Sequence, residues 1–536
     1  MADTAGPQPD VLTAHAAAQP DKVALIEDPP DAAARRWTFA ELEAWAQRFA
    51  GALGALGVAP GERVVWCGPN SATVIALTHG CRKAGVTAVP LNYRLAGEEA
   101  EYVLDDCDAV VAWVDAEYAP LITGAQAAAP RLRRVLAYGG TAAGCEDGDA
   151  LVAARPAEPA PGDPGAADPG AADLAAADPA AAGTMIYTSG TTGRPKGAMR
   201  GTTGDPAQIR ALIELIGYTP DDVYLTTGPL YHSGPGGFAA VAAGLGNTVV
   251  VQRRFDAEDW LRLVDTHRVS TTFSAPTPIR MVCALDPAIK SRYDRSSMRR
   301  MLANAAPWSL ALKRAYLADF PPDSLWEVYG STEMGVDTVL APGDHLRKPG
   351  SCGLPAPGVE IKLFDDDGRE VTEPGEAGEL YVRSASMFRT YHKAQDKYDE
   401  DRRGDFHTVG DVAYRDADGY VYICDRKKDM IISGGMNVYP AEIEAALEAH
   451  PDVYEAAVFG IPSEEWGEAV HATVVARPGA TLGPEDVMAH ARLHLAGYKV
   501  PRSVAFADEL PRTGSGKTLK RVLREPYWAG RSTRVG

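Results

Sequence analysis

The chain is poor in the features that mark a secreted, membrane-embedded or nucleic-acid-binding protein. Its seven cysteines, at 67, 81, 107, 145, 283, 352 and 424, are scattered. No CxxC pair and no clustering with histidine accompanies them, which argues against a disulfide framework or a thiolate metal site and for reduced thiols. No apolar run approaches the roughly 20 residues of a bilayer span, and the opening MADTAGPQPDVLTAHAAAQPDKVAL has no basic end leading into an apolar core. Basic residues are outnumbered 53 to 72, giving a formal charge of -19. That is the wrong sign for a general binder of nucleic acid or anionic membrane, although a local basic cleft for an anionic substrate stays open. These absences predict a cytoplasmic protein with no nucleic-acid partner and no stable membrane insertion.

What is present is ordinary globular material, 46% hydrophobic and 23% charged over 536 residues. That length exceeds one core and predicts at least two domains. Short apolar runs (VALIE from Val23, RVVWCG from Arg63) interleave with helix-like stretches, Phe39 to Leu56 and Ala72 to Ala84. The expected fold is α/β, with stacked, mostly parallel sheets covered by helices. Turn-rich strands from Phe364 to Arg383 predict a small β-subdomain. After Asp425 the pattern becomes compact α+β, with helices at Pro440 to Ala449 and Glu485 to Leu495 and strands near Ala456 and Ala472. The expected division is a large N-terminal domain, 1–424, and a small mobile C-terminal domain, 425–536. From Ala153 to Gly183 the composition collapses to Ala, Pro, Gly and Asp, and this stretch is read as a flexible insertion.

The insertion ends abruptly at TMIYTSGTTGRPKG. Thr188, Ser189, Gly190, Thr191, Thr192, Gly193 and Lys196 offer hydroxyls, freed backbone N–H groups and one ammonium, a set able to wrap polyphosphate oxygens. An ordinary polar turn has the same composition. The glycine spacing before Lys196 is not that of a Walker A loop. GSGKT near the C-terminus imitates the end of one, but Pro511 stands where its first glycine belongs, and 19 residues after Lys517 leave no room for a Walker B strand.

The loop at 188–197 resembles the signature loop of the acyl-adenylate-forming superfamily, which includes acyl-CoA synthetases, firefly luciferase and nonribosomal adenylation domains. Further motifs of that superfamily recur in order: YHSGP at 231–235, YGSTEMG at 329–335, GD at 410–411, DRKKDMIISGGMNVYPAEIE at 425–444 and PRTGSGKTLKR at 511–521. The resemblance implies an enzyme that uses ATP, Mg2+ and coenzyme A to turn a carboxylic acid into an acyl-adenylate and then a thioester. It implies that Glu333 holds Mg2+, Thr332 contacts the α-phosphate, and Tyr329, Gly330, Ser331, Ala305 and Ala306 surround adenine. Asp411 would accept from both ribose hydroxyls and Arg426 would reach ribose and phosphate. Lys428 would be the pivot of the C-terminal domain. Gly434 and Gly435 would line the pantetheine passage, His232 would flank the acyl site, and Lys517 would stabilise charge during adenylation.

Read alone, each of these stretches has a plainer description: a solvated turn with a stray carboxylate at 329–335, a common turn at 410–411, a loop histidine at 232. The chain also departs from the family pattern. NAAPW at 304–308 replaces a more glycine-rich segment, and GAMRGTTGD at 197–205 lacks the histidine often found there. A histidine at 232, where amino-acid-activating relatives usually carry aspartate, disfavours an amino-acid substrate. Small residues around His232, with Trp308 as the one bulky group, lead to the expectation of a fatty, aromatic or polycyclic acid rather than acetate. Two rival readings stand beside the CoA ligase: delivery to the phosphopantetheine of a carrier protein, and a ligand-binding relative that has lost its chemistry.

Overall fold

A computed structural model describes residues 10–157, 183–188, 195–201, 205–306, 308–426, 429–433, 436–463, 465–512 and 518–529. Two large sheets dominate. In the first, the strands Thr87–Leu91, Arg63–Cys67, Ala109–Asp115 and Arg134–Tyr138 run parallel, and Gly183–Thr188 joins parallel beside Thr87–Leu91. The antiparallel strand Lys196–Gly201 then continues the sheet. In the second, Leu325–Ser331, Arg300–Ala303, Thr271–Ser274, Val223–Thr226, Thr248–Val251 and Val23–Glu27 form a parallel series. The antiparallel Gly335–Leu340 follows Leu325–Ser331.

Strands such as Ala109–Asp115, buried at every position, can be apolar on both faces because helices and the other sheet cover them. The helix Phe39–Ala55 starts at a Thr38 capping box with Glu41 and buries Leu42, Ala46, Phe49 and Leu53. Its Phe49 meets Trp113 edge-on at 5.5 Å between ring centres, which ties the helix to the first sheet. A second core, around Trp260, Tyr316 and Phe320, covers the outer face of the second sheet.

The expected β-subdomain is an antiparallel sheet built on Glu360–Phe364, Gly378–Arg383, Asp411–Arg415 and Val421–Arg426. Beyond it, Val453–Ser463 and Gly467–Ala476 pair antiparallel, with the helices Pro440–Glu448 and Pro484–His494 packed through Ile443, Leu447, Val487 and Ala491. The architecture is therefore the expected mixed α/β one, with a large N-terminal part rich in parallel sheet and a small C-terminal part.

The two ends of the expected insertion, 153–183, fall on described residues. Ala153 ends the helix Gly148–Ala153, and Gly183 opens a strand, because its backbone pairs with Gly201. Residues 158–182 lie outside the described residues. None of the seven cysteines is disulfide-bonded. Among the described residues no helix is long and apolar enough to cross a membrane.

Candidate active site

The motif residues gather where several strands end. In open parallel sheets this is the rim at which ligands bind, because the loops there are free to vary while the strands hold their roots. Thr188 and Lys196 are register partners at the ends of an antiparallel pair. Ser189, Gly190, Thr191, Thr192 and Gly193, which lie between them, are outside the described residues. Tyr102 donates to the Pro195 carbonyl at 3.0 Å and pins the loop's descending arm.

Across from this pair, Leu325–Ser331 delivers Thr332 and Glu333 into the turn before Gly335–Leu340. The Glu333 carboxylate accepts from the Thr188 hydroxyl at 3.0 Å and from the Tyr391 hydroxyl at 3.1 Å. The Lys196 ammonium lies 5.5 Å from the centre of the Tyr391 ring, and burial lowers its pKa. One oxygen of a carboxylate, two hydroxyls and a lysine therefore gather at the paired strand ends Thr188 and Lys196.

Thr332 turns the other way. Its hydroxyl is 2.7 Å from that of Ser233, the first residue of the helix Ser233–Gly244, and His232 is the residue that precedes this helix. The rings of Tyr231 and His232 lie 4.4 Å apart, and Tyr93 meets Tyr231 edge-on. Gly234 is required by close approach: a Cβ there would sit 2.4 Å from the Phe273 ring.

Below the rim, Tyr329 donates its hydroxyl to Asp411, and Arg426, the register partner of Asp411, holds that carboxylate at 3.4 Å. Burial, with Asp411 second, raises the Tyr329 pKa well above the ordinary phenol value. Asn304, Ala305 and Ala306 follow the strand Arg300–Ala303 on the same rim. Ala305 is left-handed at φ 69°, a conformation costing an alanine about 1 kcal/mol. The departure from a glycine-rich segment is thus a strained one. Trp308 does not join the rim: it is 4% exposed and packs in the outer core, edge-on to Tyr316. Of the remaining expected residues, Lys428, Gly434, Gly435 and Lys517 lie outside the described residues.

Three residues at the site carried no functional reading in the sequence. Arg200, within the departure GAMRGTTGD, is largely buried and donates to the carbonyls of Thr332 and Ser386, the latter at 2.8 Å. Tyr391 holds Glu333 from a strand that pairs with Lys196–Gly201. Asp337 is fully buried, neither of its oxygens has a hydrogen-bond partner among the described residues, and burial raises its pKa well above the usual carboxylate range. Only Arg200 had a signal, its place in the segment 197–205 that departs from the family pattern.

A model of the AMP-binding enzyme family matches residues 12–392, and one of the AMP-binding enzyme C-terminal domain matches 442–517. The chain belongs to this family. It is an acyl-CoA synthetase-like member of the acyl-adenylate-forming superfamily, and its enzyme class is AMP-forming acid–thiol ligase. A feruloyl-CoA synthase from an Amycolatopsis species is 36% identical, covering 91% of this chain and 94% of its own. The fatty acid–[acyl-carrier-protein] ligase ScoC of Streptomyces coeruleorubidus is 34% identical, over 94% and 93% of the two chains. The ATP-bound MatB structure from Rhodopseudomonas palustris superposes with a TM-score of 0.81 at 30% identity, covering 95% and 97%. ATP use and thioester formation follow at the level of the family.

Proposed function

We propose that the chain joins a carboxylic acid to coenzyme A through an acyl-adenylate made from MgATP. The observation that carries this is the Glu333 carboxylate, held by the Thr188 and Tyr391 hydroxyls at the mouth of the phosphate loop. A single carboxylate amid hydroxyls, with no group of three His, Cys, Asp or Glu among the described residues, fits Mg2+, which keeps most of its ligands as water and phosphate oxygens. Bound there, the ion would neutralise developing phosphate charge.

In the first step an oxygen of the acid bonds to the α-phosphorus and the bond to pyrophosphate breaks. Lys196 and the loop 188–193 would hold the triphosphate, and Thr332 would contact the α-phosphate. Tyr329 to Ser331 with Ala305 and Ala306 would flank adenine, while Asp411 and Arg426 would take the ribose. Lys517 would enter to stabilise the transition-state charge. In the second step the domain 425–536 would turn about Lys428, bringing Gly434 and Gly435 to the passage through which the thiol reaches the carbonyl; its sulfur bonds to the carbonyl carbon, the bond to the phosphate oxygen breaks and AMP leaves. His232 would stand beside the acid. A fatty, aromatic or polycyclic acid suits the small residues that follow it.

Delivery to a carrier protein is the second reading, favoured by the likeness to ScoC. The test is acid-dependent pyrophosphate release over short, long, aromatic and polycyclic acids, with and without CoA, repeated with Lys517→Ala. Acyl-CoA formation that is lost with Lys517→Ala supports the ligase. Bound acyl-AMP without acyl-CoA supports a carrier acceptor, and no release across the panel removes the reading.

A further inference from the structure

Arg280 lies in the helix Pro276–Ala284, which leaves the same rim of the second sheet just after Thr271–Ser274. Its neighbours Ile279 and Val282 are fully buried in the outer core, so the helix is a fixed part of the large domain. The Arg280 guanidinium nevertheless points into the C-terminal part. It donates to the Tyr454 carbonyl at 3.0 Å and lies 5.2 Å from the centre of the Tyr454 ring. It stands 3.6 Å from a Glu455 oxygen and 3.8 Å from one of Glu448. With side-chain exposures of 19% for Arg280, 7% for Glu455 and 15% for Glu448, this is a largely desolvated cluster rather than a surface pair.

Glu455 has a second partner, the guanidinium of Arg512. Arg512 forms an antiparallel bridge with Thr518, and Leu519 donates to the Pro511 carbonyl at 2.7 Å. Those contacts close the base of the segment that contains Lys517. One carboxylate, Glu455, is thus shared between a cation rooted in the large domain and a cation at the root of the lysine loop.

We infer that Arg280 is a positioning residue for adenylation, latching the C-terminal domain in the orientation that brings the base of the Lys517 segment to the rim. The inference rests on the proposed two-step reaction, in which that domain takes a second orientation for thioester formation. A contact made in one of two orientations lowers the free energy of that orientation alone, so its removal acts on one half-reaction. Arg280 touches no reacting atom in this account and acts through Glu455 and Arg512.

The experiment separates the half-reactions in Arg280→Ala and Arg280→Lys. Pyrophosphate release is measured from acid and MgATP without CoA, and thioester formation from supplied acyl-adenylate and CoA. Arg280→Ala is expected to slow the first about tenfold and leave the second within about twofold, the size of an ordinary coupling between sites. Arg280→Lys is expected to restore part of the loss by keeping the charge. Amide hydrogen exchange across 448–456 in the substrate-free protein, which needs no turnover, is expected to quicken in Arg280→Ala. Equal changes in both half-reactions, no change in either, or a loss confined to thioester formation overturns the inference. A wild-type chain that releases no pyrophosphate with any acid ends the ligase reading, and this inference with it, whatever the exchange shows.

Discussion

Replacing Arg200 by methionine tests whether the loop that carries Thr332 and Glu333 is held from below. The guanidinium donates to the Thr332 and Ser386 carbonyls, and burial lowers its pKa, with Glu333 and Asp337 opposing that shift. Methionine fills similar space but strands both carbonyls. An unsatisfied buried acceptor costs about 1–3 kcal/mol, and burying the cation already offsets part of what its bonds contribute, so the net loss should be about 2–4 kcal/mol. If Arg200 only braced the fold, urea unfolding would register that loss and each folded molecule would turn over normally. Because its partner is the carbonyl adjacent to Glu333, we expect acid-dependent pyrophosphate release per folded molecule to fall about tenfold or more as well, since misplacing a charge-stabilising group is costly. Lysine at 200 should recover stability better than rate, having no fork to reach two carbonyls. Normal turnover of a destabilised Arg200→Met protein would refute the reasoning.

Two further outcomes follow from the same geometry. A Cβ on Gly330 would sit 1.8 Å from the Gly335 carbonyl oxygen, backbone against backbone, so Gly330→Ala must part the strands Leu325–Ser331 and Gly335–Leu340. We expect a loss above about 3 kcal/mol, seen as a clear drop in thermal midpoint, and an unchanged midpoint would contradict the strand pairing. Burial raises the Glu448 pKa from 4.5 to about 7, Arg280 pulls it back, Glu444 and Glu455 push it up, and the Ala456 N–H donates to it. The folded state therefore binds this proton more tightly than the unfolded chain, so its stabilising contribution is complete below pH 4.5 and lost as pH rises through 7. Glu448→Gln should flatten the stability profile across that window, and parallel profiles for the two proteins would exclude the assignment.

The parts of the molecule legible in its sequence are those fixed by local pattern. Apolar runs of five residues such as Val23–Glu27 and Arg63–Cys67 are strands, the Thr38–Glu41 capping box starts a helix at the expected residue, and the hydroxyl- and glycine-rich stretch is flanked by paired strand ends at Thr188 and Lys196. What escaped depends on partners far away in sequence. Nothing near Tyr391 announces that its hydroxyl will meet Glu333, 58 residues earlier. Trp308 follows a rim segment, and only the packing of Tyr316 and Phe320 draws it into the outer core. Arg280 sits in an amphipathic helix whose pattern explains Ile279 and Val282 but is silent on a contact made 174 residues later.

The residues missed by pattern also resolve a mismatch of charge. A triphosphate must reach a protein whose formal charge is -19. Around the candidate site Lys196, Arg200 and Arg426 stand against Glu333 and Asp411, and a third carboxyl, Asp337, would cancel the excess if it were ionised. Asp337 is fully buried, lacks a hydrogen-bond partner among the described residues, and lies close enough to Asp411 for that charge to raise its pKa further. Burial and the neighbouring Asp411 charge thus favour its protonated form. Among these described groups, three cations face the carboxylates of Glu333 and Asp411, a local excess of positive charge that would attract an anionic nucleotide. Arg200 is the member that tips this count, since without it these cations and carboxylates would be equal in number.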